Sequence, residues 1–369
     1  MYFKIILIIF ISHLFILSFS NEDSTKASLI LETTHSSQST NHHLLQISIG
    51  TPNQNLKVKL SSAFCGLLIL NKNFFSPKGF DPSKSTTSIS HNFSTSKSNF
   101  IGKIHQDHIK ISNYLLENIS FLLVNKITLE DKINELDYDG IIGFGYKCTY
   151  EGIGNVYFID EIKKQLLKQN KNNKNIHNVF SLELNDNNNQ GIINIGEIDN
   201  KINVNSNNYK TVDVDRYIFD GQWQVKLYSI YFDNNNLFYK INSKISIGIG
   251  GYIFNVDKKF FDFVVDNFFK NDNECEIKIN NMNVSEIYCN DNYNINKIGN
   301  LSFVVGKWNF KIYSKKLFIN IKDENNINKK WFIMVHYNKY DQFYISQSLF
   351  TNSIFVYDID NNLIGIYNK

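Results

Sequence analysis

Two short turns hold the residues whose types could do chemistry. The first is Ser61-Ser62-Ala63-Phe64, set between Leu56–Leu60 and Leu67–Leu70. Ser61 as a nucleophile would need an adjacent base, and no Gly-x-Ser-x-Gly elbow surrounds it. The second is Gly248-Ile249-Gly250-Gly251, followed by Tyr252. A phosphate-cradling loop would lead into a helix opening with Lys-Ser/Thr, and none follows. A tight turn is the simpler reading. His42/His43 and His105/His108 are pairs on strand-like stretches, where imidazoles are more often core or surface residues than metal ligands. Asp137 and Asp139 are spaced as paired carboxylates. No Cys-x-x-Cys spacing points to zinc. No metal and no cofactor is expected.

The elements around these turns read mostly as strands. Leu56, Val58 and Leu60 alternate with Lys57 and Lys59, the period of a half-buried strand. Leu67–Leu70 are apolar throughout, as in a strand covered on both faces. Phe100–Val124 alternates again, and Asp139–Gly145 is a strand closed by a glycine turn. Phe158–Gln169 places Ile159, Ile162 and Leu166 on one helical face. Phe180–Leu184 and Ile192–Gly196 form a hairpin. Lys244–Phe254 repeats the opening theme of strand, small-residue turn and apolar strand, and a helix over Lys258–Lys270 follows. Asn71–Ser98 reads as loop, and Asn21–His43 as polar and extended or disordered. The two similar halves are a weak internal repeat.

The chain has 369 residues and 43% hydrophobic composition, enough for two lobes. Its net charge of +3 comes from intermixed signs, which argues against a nucleic-acid or membrane-surface binder. Lys4, the apolar run Ile5–Leu17 and the small residues Ser18 and Ser20 make a signal peptide over residues 1–20, too short for a stable membrane span. Cys65, Cys148, Cys275 and Cys289 allow three connectivities. The local pair Cys275–Cys289 is preferred, which leaves Cys65–Cys148 as the second. Asn92, Asn118, Asn283 and Asn300 begin Asn-x-Ser acceptors for glycosylation.

Several stretches, in order from about Leu44 to the C-terminus, resemble pepsin-like aspartic peptidases. They are Ile47–Pro52, Asp139–Gly145, the Phe180 hairpin ending in Gly196, Gly221–Val225 and Phe355–Gly365. The resemblance implies a mainly β, two-lobed acid protease fold with a few short helices, around a long substrate cleft. It implies lobes of 44–203 and 204–369, preceded by a short polar segment over 21–43. It also implies that Asp139 is structural, and that each lobe should supply one Asp from an Asp-Thr-Gly turn.

The departures fall on those turns. Ser61 stands where the first Asp is expected, with Ser62, Ala63 and Phe64 after it, and Gly248 stands at the second. Counting back from Gly102 and Asp107 puts Thr95 at the family's flap Tyr, with Phe93 the nearest aromatic. Ile345-Ser346-Gln347 replaces Leu-Gly-Asp. Aspartic proteolysis needs two carboxyls that share a proton, so that one acts as base on water and the other as acid. A serine does not ionise at working pH, and a glycine has no side chain. The segment ahead of the first strand is also shorter than the prosegment usual in active zymogens.

The resulting expectation is a secreted or secretory-lumen, catalytically inactive pepsin-fold monomer that binds a peptide or protein in its cleft. The floor of that cleft would be Ser62, Ala63, Phe64, Gly250, Gly251 and Tyr252, partly filled by Phe64 and Tyr252. The alternative is an active aspartic endopeptidase whose acids stand elsewhere.

Overall fold

The computed structural model describes residues 27–35, 41–62, 64–97, 100–128, 137–146, 158–169, 176–185, 190–215, 221–233, 237–249, 253–280, 283–306, 308–323, 325–338, 342–350 and 353–369. The expected signal peptide, Ala63, Cys148, Gly250, Gly251 and Tyr252 lie outside the described residues, as do residues 170–175 of the polar loop that the sequence suggests over Lys168–Asn175, whose first two residues end the helix Phe158–Gln169.

The fold is mainly β. One sheet runs through Tyr209–Asp213, Leu363–Asn368, Ser353–Asp358, Val179–Asn185, Gln190–Ile195, Ala27–His35, Asn41–Ile49, Gln54–Ser61, Gly140–Phe144, Cys65–Leu70, Tyr114–Ile127, Phe100–Ile111 and Ile89–Lys97. A second runs through Cys275–Ile279, Val284–Asn290, Asn328–Tyr337, Phe254–Asn255, Phe343–Ser346, Leu237–Gly248, Gln224–Phe232, Leu301–Val305 and Trp308–Ile312. Three strands C-terminal to residue 204 therefore pair into the first sheet, where Phe355 meets Leu182. The two halves share a sheet as well as a boundary.

The repeat seen in the sequence is a repeat of topology. Gln54–Ser61 pairs in parallel with Gly140–Phe144, which pairs antiparallel with Cys65–Leu70, itself parallel to Tyr114–Ile127. Leu237–Gly248 pairs in parallel with Phe343–Ser346, which pairs antiparallel with Phe254–Asn255, itself parallel to Asn328–Tyr337. In each half the first strand and the strand after its turn are separated by a strand from much later in the chain.

Hydrophobic pattern accounts for most of these elements. Leu56, Val58 and Leu60 are buried in the main core. Leu67 and Ile69 join that core, while Leu68 and Leu70 join a second cluster with Ile104, Leu122, Val124 and Ile127, so this strand is covered on both faces. The helix Phe158–Gln169 buries Ile159, Ile162 and Leu166. The helix beginning at Lys258 is α to Val264, capped by the Asp257 carboxylate on Phe260 N–H, and widens to a π turn over Val265–Phe269.

Two segments differ from expectation. Ile89–Lys97, read as loop, pairs with Phe100–Gln106 at the sheet edge. Ala27–His35 is a strand between Gln190–Ile195 and Asn41–Ile49. Ile89–Lys97 is Ser-rich and forms a hairpin with the adjacent Phe100–Gln106, while Ala27–His35 pairs both with the adjacent Asn41–Leu45 and with the remote Gln190–Ile195. Ladder bonding of the backbone outweighs local propensity in both.

Trp223 joins the halves. It is fully buried, its Nε1 donates to Phe144 O at 2.9 Å, and the rings of Tyr146 and Tyr357 lie at 4.9 Å and that of Phe180 at 5.9 Å.

Candidate functional site

The repeat brings Ser61 and Gly248 to equivalent places. Each ends the first strand of its motif, and each is in register with the last-arriving strand: Ser61 with Gly143, Gly248 with Ser346. The residue after each turns toward the other half. Ile249 N–H donates to Ser62 Oγ at 2.8 Å, and both residues are buried, at 4% and 3% exposure. This bond ties the two turns together across 187 residues of chain. Ile249 carries no hydroxyl, so it cannot return a matching side-chain bond.

Gly248 is glycine for want of room. A Cβ there would stand 2.1 Å from Tyr344 Oη and 2.2–2.3 Å from its ring carbons. Tyr344 reaches this point from the strand in register with Leu237–Gly248, pairing at Ser246. Its phenol is held well above the ordinary tyrosine range, chiefly by burial and further by Tyr337. The group at the second turn is therefore a neutral phenol, not a carboxylate.

The first turn is neutral too, with a cation beside it. Lys59 and Ser61 share the face of Gln54–Ser61 opposite the buried Val58 and Leu60. Lys59 Nζ lies 5.7 Å from the centroid of Tyr138. Burial lowers its pKa from 10.5 to about 8, partly offset by the nearby Asp137 carboxylate. The Tyr138 hydroxyl is pushed up to about 12, mainly by burial. Phe64, half-buried, packs on the second apolar cluster with Phe75, Phe100 and Ile141, and its carbonyl accepts from Gly145 N–H at 2.8 Å.

Behind the turns lies a polar lattice. Gln347 is buried, donating Nε2 to Leu182 O and accepting from Tyr357 Oη, both at 2.9 Å. His43 Nε2 and Ser348 Oγ lie 2.9 Å apart, both residues buried. Asp139 accepts from Lys57 N–H at 2.8 Å and Gly79 N–H at 2.9 Å, a structural use of its carboxylate. His105 is buried, with its pKa lowered by burial, His91 and Lys103. Among the described residues no group of three or more His, Cys, Asp or Glu is placed to hold a metal ion.

Of the other residues singled out by sequence, Cys275 and Cys289 form a disulfide between paired strand positions. Cys65 is disulfide-bonded as well. Asn118, within the strand Tyr114–Ile127, and Asn283, at a bend, are both exposed with positive φ, and Asn283 Oδ1 accepts from Asn338 Nδ2. Asn300 is half-buried, bonded to Asp233 and to Ser314 N–H. The side chains of Asn92, Phe93 and Thr95 lie outside the described residues. Sequence reasoning missed Tyr344 and Lys59. The available signals were an aromatic on a strand in register with a glycine-ended strand, and a lysine at strand period with the candidate serine.

Comparison with known proteins agrees with this geometry. The profile of the family described as eukaryotic aspartyl protease matches residues 42–369. Plasmepsin VIII of Plasmodium berghei (strain Anka) is 26% identical over 212 residues, covering 54% of this chain and 52% of that protein. The chain thus matches about half the length of that relative.

Proposed function

The chain belongs to the eukaryotic aspartyl protease family, and from that premise we propose that it is a secreted, catalytically silent member that binds peptides or proteins between its lobes. The observation that carries this reading is the pair of equivalent positions Ser61 and Gly248, one a hydroxyl and the other a glycine against which the Tyr344 phenol is packed. A carboxyl dyad works because two acids close together split their pKa values, so that one accepts a proton while the other donates. Serine and a high-pKa phenol stay neutral across the acidic and neutral range, so neither activates water.

The frame is retained where the acids are not. The Ser62–Ile249 bond still joins the turns, and Trp223 still ties one half to the other. A groove between β lobes presents backbone donors and acceptors to an extended peptide, whatever stands at its floor. The apolar N-terminal run, the disulfides and the Asn-x-Ser acceptors support residence along the secretory route. The protein would act there as a monomer, without a cofactor.

The test is differential binding. Two peptides of one sequence are titrated against the protein, one with an ordinary amide and one with a secondary alcohol at its centre. A working dyad holds the alcohol as a transition-state mimic at least 10²-fold more tightly. Equal affinity for the two supports the silent binder; strong preference for the alcohol overturns it.

A further inference from the structure

We propose that Lys59 anchors an acidic side chain of the peptide held between the lobes. The proposal rests on the peptide-binding reading above and adds the chemistry of the ligand. Lys59 is set two residues before Ser61 on the same strand face, so a ligand passing the first turn passes the lysine as well. Across the parallel pairing its neighbour is Ile141, which packs on the cluster of Leu68, Leu70, Leu122 and Val124. Phe64 packs on that same cluster. The ammonium therefore stands at the border of an apolar wall, next to the strand end where chemistry would be placed in an active relative.

What singles out Lys59 is burial without an ion pair: the residue is half-buried on its strand, and burial lowers its pKa. Exposed lysines keep their ammonium in water or meet a carboxylate, as Lys258 meets Asp262 and Lys270 meets Asp266. Lys59 Nζ stands 5.7 Å from the ring centroid of Tyr138, with Asp137 farther off, and among the described residues no carboxylate lies within ion-pair distance of it. Asp137 is felt through space, but burial outweighs it and holds the pKa down. An ammonium has three donors, and a ring face uses none of them as a full hydrogen bond. Removing a charge from water without pairing it is unfavourable. A ligand carboxylate supplies both the missing charge and the missing acceptors. The apolar wall of Ile141, Leu68 and Phe64 suits the methylene stem of glutamate, and backbone bonding along the groove suits a peptide rather than a free anion.

The experiment uses fluorescein-labelled decapeptide pools that differ only by Glu in one pool and Gln in the other at each varied position. Binding to the full chain is read by anisotropy at pH 6.5, with Lys59→Met and Lys59→Arg in parallel. The expected result is at least tenfold tighter binding of the Glu pool, lost in Lys59→Met and kept in part by Lys59→Arg. Equal binding of the two pools to the wild type overturns the anchor and leaves the peptide-binding reading standing. No binding of either pool overturns both.

Discussion

The Tyr344 phenol occupies the place where a side chain on Gly248 would begin, with its Oη 2.1 Å from an ideal Cβ there. The second turn has thus lost its acid and also the room for one. Gly248→Asp should destabilise the fold by about 3 kcal/mol or more, since overpacking a filled site forces strain. Thermal unfolding of Gly248→Asp, alone and with Tyr344→Ala, checks this. The second substitution should recover a large part of the loss. An unchanged melting temperature for Gly248→Asp alone would contradict the packing described here. The pair Ser61→Asp and Gly248→Asp should gain no cleavage activity until Tyr344 is shortened.

The Ser62 hydroxyl bonds the two turns directly. Ser62→Ala leaves the buried Ile249 N–H without its acceptor. The expected cost is about 1–3 kcal/mol, and Ser62→Thr should retain most of the stability. Equal denaturation midpoints for Ser62→Ala and wild type would remove the bond from the account.

How much of this was legible in the sequence depends on the range of the signal. The helix Phe158–Gln169 and the strand Gln54–Ser61 carry their burial pattern within a dozen residues, and both were readable. The order of stretches from Ile47 to Gly365 identified the family. Ile89–Lys97 was not readable as a strand because its Ser-rich composition says little, and Ala27–His35 because one of its two partners, Gln190–Ile195, is remote in the chain. The site divides the same way. Ser61 and Gly248 stand out because small motifs surround them. Tyr344 matters only through what it meets across a parallel pairing, and Lys59 reads as an ordinary exposed strand position until Tyr138 is placed beside it.

Lys59 gives a pH signature of its own. The groups facing it are Asp137 and Tyr138, with Lys57 the next cation on its strand. Its folded pKa of about 8 lies below the ordinary 10.5. Below pH 8 both folded and unfolded chains hold the proton, and the burial penalty is present in full. Between pH 8 and 10.5 the folded chain releases the proton and the unfolded chain keeps it. Stability contributed at this site therefore rises with pH across that window, by at most about 3 kcal/mol. Lys59→Met removes the dependence and is more stable than wild type near pH 7. Denaturation of both proteins from pH 7 to 10.5 tests this. A constant difference between them would contradict the assigned burial of the charge.

The Cys275–Cys289 bond closes a separation of 14 residues at the edge of the second sheet. Replacing both cysteines with serine should cost about 3 kcal/mol. The loss should be local, with faster hydrogen exchange at amides of Cys275–Ile279 and Val284–Asn290 and little change at Gln54–Ser61. Uniform acceleration over the whole chain would show instead that this hairpin supports the global fold.

The most direct test of the central claim is incubation of the purified chain with a broad peptide library from about pH 3 to pH 7, the range where a carboxyl dyad titrates. Mass spectrometry then reads both the peptides retained by the protein and any new termini. The account predicts retained intact peptides and no new termini at any pH. New termini whose formation is blocked by a peptide-like aspartic protease inhibitor would contradict it, and would mean that acids other than residues at positions 61 and 248 perform the hydrolysis.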